Sequence, residues 1–447
     1  MTWLQRYRLR QHVTTAIWFF PSLGVAAALI AVRVLHWVEI RKDWDFDVPR
    51  DTAMALMATL ASSMFTFVVF VSSALLIIVQ LASQQLTPRI IGLVLKDPFT
   101  KLAMTLFVFT FVFALGALIR FGKDDVPLLT AQVAKWSSVF SVIVFLALLD
   151  HVARSIRPSG AVRRVARQGR AVIEAVYPRR LAEAPEGAAK PVEVTGEPAC
   201  TVPSPHDGVV LALDVRGLVA QAGRAECVIE VVPQVGDFVA AGDPLFRVYQ
   251  SRTLPPVAAL CQSIAIGDER TLEQDPTFAF RILVDIASKG LSPAINDPTT
   301  AVLAIDQIHH LLRNVGGRNL EDERVRDAAG RLRLVYRTPD WADFVQLAVT
   351  EIRHFGGTSI QVARRLRAML ENLIQTLPAE RVGLLQLELD VLHRTAKRFF
   401  LEPEDRALAD VSDFQGVGGN RAPRGRRRDV RPAANVSPRE AGQEKPP

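Results

Sequence analysis

Cysteine is scarce in this chain of 447 residues, with Cys200, Cys227 and Cys261 alone. An odd number without metal-site spacing excludes a disulfide framework and suits a reducing compartment. Lysine is missing between Lys190 and Lys289, so no amine-linked group can be carried on that run. Proline and glycine are missing from Ala53 to Leu86, so nothing in that run stops a helix. Charge is missing from the interior of the long apolar runs before residue 155, which argues against a proton-coupled transporter built on intramembrane carboxylates. The nearest acid, Asp150 beside His151, stands at the end of such a run and reaches water. A neutral pore stays open.

What is present divides the chain in two. Hydrophobic residues make up 49% of it, and most of the excess lies before residue 155. Four stretches there, about 14–35, 53–82, 102–120 and 134–153, are long and apolar enough to cross a bilayer. The first follows the basic "RYRLRQH" but has no small-residue cleavage pattern, so it reads as a retained anchor. Residues 1–155 are therefore expected to form an α-helical polytopic membrane domain with four transmembrane helices. Arg6, Arg8 and Arg10 precede the first span, and Arg154, Arg157, Arg163, Arg164, Arg167 and Arg170 follow the last. The 36–52 loop is mixed and acidic, with Glu39, Asp43, Asp45, Asp47 and Asp51. The positive-inside rule then predicts cytoplasmic N- and C-termini.

The second span is the most informative. As one helix, Ala53–Leu86 would be about 50 Å long, against about 30 Å of hydrocarbon. It must tilt or project beyond the membrane. Thr59, Ser62, Thr66, Ser73, Gln80 and Gln84, with Ser83 and Thr87, recur at steps of three, four and seven and share one face. Such a stripe serves helix–helix packing, where small hydroxyl residues allow close approach, or it walls a water-filled pathway.

The second half changes period. Residues 156–187 form a basic amphipathic connector, expected near the membrane surface or at the start of the soluble part. Residues 188–252 hold short β-rich runs broken by Gly, Pro and Asp, a small β-rich domain. Within it "VGDFVAAGDPLFRV" (235–248) resembles the turn-and-strand pattern of barrel-sandwich domains. From 253 to 412 the helical period returns, with Val302, Ile305, Ile308, Leu312 and Val315 on one face, and a helical bundle is expected. The whole fold class is thus a four-helix membrane region followed by a cytoplasmic α+β part. Residues 413–447 read as a disordered basic tail, with seven Arg and one Lys against three acids from Gly418 onward. Its "RGRRRDVR" could touch anionic lipid; no specific nucleic-acid binding is expected.

Chemistry has two candidate places. The stretch "LVDIASKGLSPAINDPTTAVLAID" (283–306) resembles an active-site loop, with Asp285, Lys289, Ser292, Asn296, Asp297, Thr299 and Thr300. Yet "KDPFTKL" at 96, "QDPTFAF" at 274 and "NDPTTAV" at 296 share one grammar. Each sets Asp-Pro before an apolar-periodic helix, so Asp97, Asp275 and Asp297 are predicted N-caps. Ser292 has no base at recognisable spacing, which leaves a joint between helices. An anion at the helix start held by Lys289, Asn296, Asp297, Thr299 and Thr300 is the sharper alternative. The second place is three acid–His pairs, Asp306/His309, Glu351/His354 and Asp390/His393, each at i,i+3 on a helix. Carboxylate-x-x-His pairs on facing helices build di-metal sites; surface pairing is the more economical account. No catalytic residue and no cofactor is predicted.

Three runs together, "VQLASQQLTPR" (79–89), "SPHDGVVLALD" (204–214) and "DIASKGLSPAINDPTTA" (285–301), resemble the predicted bacterial membrane proteins of domain of unknown function 2254. The similarity covers nearly the whole chain except the basic tail. It implies a multispan N-terminal region with a soluble C-terminal part in the bacterial inner membrane, and it brings no catalytic residues. Membrane lipid and further copies of the chain are the expected partners. Three functions stay open: a homo-oligomeric channel- or transport-like assembly with a regulatory cytoplasmic domain, a non-conducting scaffold or sensor, and a membrane-tethered metalloenzyme using the acid–His pairs.

Overall fold

Apolar runs without helix breakers become long helices. The computed structural model describes residues 1–16, 18–41, 50–90, 97–120, 128–181, 196–250, 253–321 and 323–419. Its first half holds α1 (Trp3–Thr15), α2 (Phe19–Arg41), α3 (Arg50–Gln85), α4 (Pro98–Ile119) and α5 (Leu128–Ile156). Among the described residues, four spans are long and apolar enough to cross a membrane: Phe19–Glu39, Asp51–Leu81, Pro98–Ile119 and Leu129–Arg154. The first starts later than residue 14 because α1 is a separate helix, opened by a capping box of Thr2 and Gln5.

The spans meet through small residues. A Cβ on Gly24 would lie 2.7 Å from the Thr105 carbonyl oxygen, and one on Gly116 would lie 3.1 Å from Val32. Larger residues there would separate α2 from α4. Some polar groups between the spans find partners inside the protein. The Thr110 and Ser141 hydroxyls are 3.1 Å apart, and Glu39 accepts the Thr130 amide and hydroxyl at 2.9 Å each. Trp18 and Trp37 are exposed near the two ends of α2. They are about 28 Å apart along the axis, close to one hydrocarbon thickness.

The connector begins the part of mixed sheet and helices. Helix α6 (Pro158–Val176) buries Ala161, Val162, Val165, Gly169, Val172 and Ile173. It packs on α9 (Pro276–Gly290) and α10 (Pro298–Gly316). A Cβ on Gly169 would meet that of Ala279 at 2.5 Å, so glycine is needed for this approach. Helices α11 (Trp341–Phe355), α12 (Ile360–Thr376), α13 (Ala379–Phe399) and α14 (Pro403–Ala409) complete the helical part. One apolar core runs through it, including Phe280, Ile305, Phe344 and Leu366.

Between α6 and α9 lie β1 (Cys200–Pro203), β2 (Gly208–Leu213), α7 (Val215–Arg224), β3 (Val228–Val231), β4 (Phe238–Val239), β5 (Pro244–Tyr249), α8 (Val257–Cys261) and β6 (Ile264–Gly267). They form two sheets, β4-β2-β6 and a larger one that begins β1-β5-β3 and is completed by two later strands. The last two strands, β7 (Glu323–Arg326) and β8 (Leu332–Tyr336), come from within the segment expected to be helical throughout. Strand β8 lies parallel to β3, Leu334 opposite Ile229. Both sheets close on one core that includes Val210, Ile229, Phe246, Ile266 and Leu334. Trp3, Leu4 and Tyr7 of α1 pack on Leu211, Ala212 and Ala265 of the smaller sheet.

Described structure continues to Gly419. Arg364, 1% exposed, donates to the carbonyls of Val411, Gly418 and Gly419. Asp43, Asp45 and Asp47 of the acidic loop, residues 182–187 of the connector and 420–447 of the tail lie outside the described residues.

Candidate functional site

Helix α3 packs through Ala53, Met57, Ala61, Met64 and Val71. At about 100° per residue, the opposite side carries Thr59, Ser62, Thr66, Ser73, Gln80 and Gln84. All six are exposed, so no described helix of the chain covers the stripe. The Thr59 and Thr66 hydroxyls turn back to the carbonyls of Ala55 and Ser62, at 2.8 and 3.1 Å. Lower down the stripe changes character: Ser83 is half-buried and Thr87 is buried.

The reason is that α3 outruns its apolar span. Its 36 residues make about 54 Å, and the end enters the helical part that follows the spans. There the last carbonyls of a helix need donors. Lys289 supplies one, its Nζ donating to the Ser83 carbonyl at 2.8 Å. Leu86, 2% exposed, joins the apolar core of the helical part. Pro88 then turns the chain into a short 3-10 turn, Pro88–Ile90, and presents Arg89 to Asp285.

Arg89 starts a chain of alternating charges. Asp285 also accepts from Nε of Arg281 at 2.7 Å, and Arg281 forks onto both oxygens of Glu351 at 2.6 Å each. Hydrogen bonds from Arg281 hold the Glu351 carboxyl below the usual range, and Glu351 in turn raises the Arg281 guanidinium. Arg89–Asp285–Arg281–Glu351 thus links the end of the membrane helix to α11. A second contact sits at the head of α4. Asp97 caps the helix by accepting the Thr100 amide at 3.0 Å, and it also meets His151 of α5 at 3.0 Å and Arg164 of α6 at 3.7 Å.

The 283–306 stretch runs from α9 through the turn at 291–297 into α10. Asp275 and Asp297, like Asp97, accept the amide three residues on, with proline in the first turn. Asp297 takes the Thr300 amide at 3.0 Å and the Thr300 hydroxyl at 2.5 Å. That carboxylate occupies a helix-start amide an anion would use, and Lys289 is turned to Ser83. Asn296 and Thr299 are exposed beside it, with Asn296 at φ +48°. Ser292 donates to the Lys289 carbonyl at 2.7 Å.

The acid–His pairs go separate ways. Asp306 binds Arg365 at 2.6 Å, while His309 meets Asn372 at 2.9 Å. Glu351 belongs to Arg281, and His354 stacks edge-on to Phe355. His393 meets Asp410 at 2.8 Å, and Asp390 is exposed. Among the described residues no group of three or more His, Cys, Asp or Glu side chains could hold a metal ion.

Sequence reasoning missed Leu86, Arg89 and Arg281. Arg89 alone had a positional signal, a cation after a proline at the end of a helix too long for the bilayer. Beside Glu351 opens a cleft of about 380 Å³, lined by Gln234, Thr277, Asp343, Gln346, Leu347, Thr350 and Glu351.

The model of a family described as "Predicted membrane protein (DUF2254)" matches residues 14–372. "Uncharacterized protein Mb1321c" of Mycobacterium bovis and "Uncharacterized protein Rv1290c" of Mycobacterium tuberculosis are each 28% identical to this chain. Each match spans 90% of this chain and 80% of the relative. No solved structure matches it.

Proposed function

The chain belongs to this family of predicted membrane proteins, and on that premise we propose that it assembles in the bacterial inner membrane as a homo-oligomer around α3. The assembly forms a conduction or small-solute pathway, and the cytoplasmic domain regulates it through the end of the same helix. The observation that carries this reading is the uncovered polar face of α3 opposite its packed face. Hydroxyl and amide side chains gain little from acyl chains, whereas a second copy or a column of water gives them partners. The regulatory half of the reading rests on Leu86, Lys289 and the Arg89–Asp285 pair, which tie α3 to the soluble core.

Both termini lie in the cytoplasm in this reading. The Arg residues flanking the first and last spans support it, as does the seat of α1 on the smaller sheet. We read the two-sheet module as barrel-sandwich-like and the helical part as a bundle beneath the membrane.

The test is flux in proteoliposomes together with cross-linking at the stripe. Replacing Ser62, Thr66 and Ser73 together by Leu is expected to lower flux at least tenfold, and a Ser73→Cys variant is expected to form cross-linked dimers. A monomer without flux overturns the reading. A second reading, a non-conducting scaffold or sensor, draws on the Thr59 and Thr66 hydroxyls, which are already satisfied by carbonyls and need no water. Stable co-purifying partners without flux would favour it.

A further inference from the structure

We infer that the cleft beside Glu351 is a binding site for a small organic cation, an amine or polyamine, and that its occupancy is read by the membrane helix. Its volume of about 380 Å³ suits a small molecule. Two of its seven lining residues are carboxylates, Asp343 and Glu351, and none is Lys or Arg. Thr277, Thr350, Gln234 and Gln346 add hydroxyls and amides, which suit the N–H groups and hydration of an amine. Leu347 alone is apolar.

A third carboxylate stands behind the wall. Asp275 is 1% exposed. Its Oδ1 accepts the Thr277 hydroxyl at 2.5 Å and the Phe278 amide at 3.0 Å. Among the described residues its Oδ2 accepts no hydrogen bond, and Arg270 faces it in an ion pair at 4.0 Å. A Cβ on Gly236, in the loop that carries Gln234, would lie 2.6 Å from that oxygen. The orphan acceptor lies between Gly236 and Thr277, in two of the segments that line the cleft, and it leaves a buried oxygen open to a hydrogen-bond donor.

Glu351 is both a lining residue and the last member of the Arg89–Asp285–Arg281–Glu351 chain. An ammonium group on Glu351 competes with the Arg281 fork. Arg281 released from Glu351 leans on Asp285, the group that Arg89 also needs. A ligand in the cleft therefore shifts the balance at the end of α3 by as much as its affinity differs between the two arrangements. This coupling rests on the regulated-pathway reading; the binding site does not.

The experiment is calorimetric titration of spermidine and putrescine into the full chain in nanodiscs of phosphatidylcholine, which removes anionic lipid as a competing sink. One saturable site per chain is expected, weakened at least tenfold by Asp343→Asn and by Glu351→Gln. The side-chain oxygen left by Asp343→Asn can still accept the Asp340 amide that Asp343 accepts now, and thermal unfolding checks that each variant is folded. Thr350→Val, which leaves every charge in place, is expected to weaken binding severalfold. Absence of saturable binding at millimolar amine, or binding unchanged in both carboxylate variants, overturns the site. Flux is measured in parallel on vesicles of the same lipid. An amine-dependent change in flux that Arg89→Ala abolishes supports the coupling. Binding without such a change overturns the coupling and leaves the site standing.

Discussion

His309 meets Asn372 across 2.9 Å, and burial pulls its pKa from 6.5 down to about 4. Asn372 opposes the shift, while the charges of Arg365, His310 and Arg313 add to it. The unfolded chain takes up this proton near pH 6.5 and the folded chain only near 4. The unfolded state therefore binds more protons in between, and stability rises with pH across that window. This contribution is whole above 6.5 and drains as the pH falls toward 4. Thermal unfolding of the detergent-solubilised protein should show the midpoint falling over this range, with a flatter profile in His309→Gln. An unchanged slope in that variant would assign the effect to other groups. Asp297 makes a simpler case. Its cap was legible because Asp-Pro before an apolar period is a local signal, and Asp297→Ala is expected to cost about 1 kcal/mol, with Asp297→Asn keeping most of it. What local signals cannot show is a partner distant in sequence. Asp97 was readable as a cap, but its contacts with His151 and Arg164 depend on how α4, α5 and α6 pack.

At the scale of elements, α3 and the β7–β8 hairpin show what periodicity reveals and what it hides. The length of α3 followed from the absence of Pro and Gly and from the stop at Pro88. That its end would be received by α9 did not follow, since Leu86 carries no mark that separates a lipid-facing leucine from a domain-core one. Strands β7 and β8 were missed for an opposite reason. "ERVRDAAGRLRLVY" is crowded with arginines, and one of them, Arg333, is buried within the sheet. It is held there by Asp327 at 2.8 Å and donates to the Cys227 carbonyl at 3.3 Å. A buried cation disguises a strand whose apolar positions alone would have declared it. The joint itself combines unequal contributions. Arg89 is nearly half exposed, with 46% of its side chain accessible, and such pairs contribute about 0–1 kcal/mol. Leu86 is buried, and truncating a buried leucine costs about 2–5 kcal/mol. Leu86→Ala should therefore loosen the grip on α3 far more than Arg89→Ala. Limited proteolysis near residues 83–90 reads the difference, and equal protection in both variants would contradict it.

At the scale of the whole molecule, the N-terminal helix decides how the two halves are arranged. Trp3, Leu4 and Tyr7 rest on the smaller sheet, yet α1 precedes the first span and the sheet follows the last. On the proposed topology four crossings return the chain to the side from which it set out, and the contact requires such an even number of spans. A chain with three crossings would have to pull α1 off its seat. On the same proposal Arg41, exposed at the far end of α2, belongs to the opposite side. In a Cys→Ser background, Thr2→Cys and Val417→Cys should react with a membrane-impermeant thiol reagent only when the cytoplasmic face is opened. Arg41→Cys should react in intact cells whose outer membrane has been permeabilised. If Thr2→Cys and Val417→Cys were labelled from different sides, the seat of α1 on the sheet could not exist in the membrane, and the shared cytoplasmic placement of the two termini would fall with it.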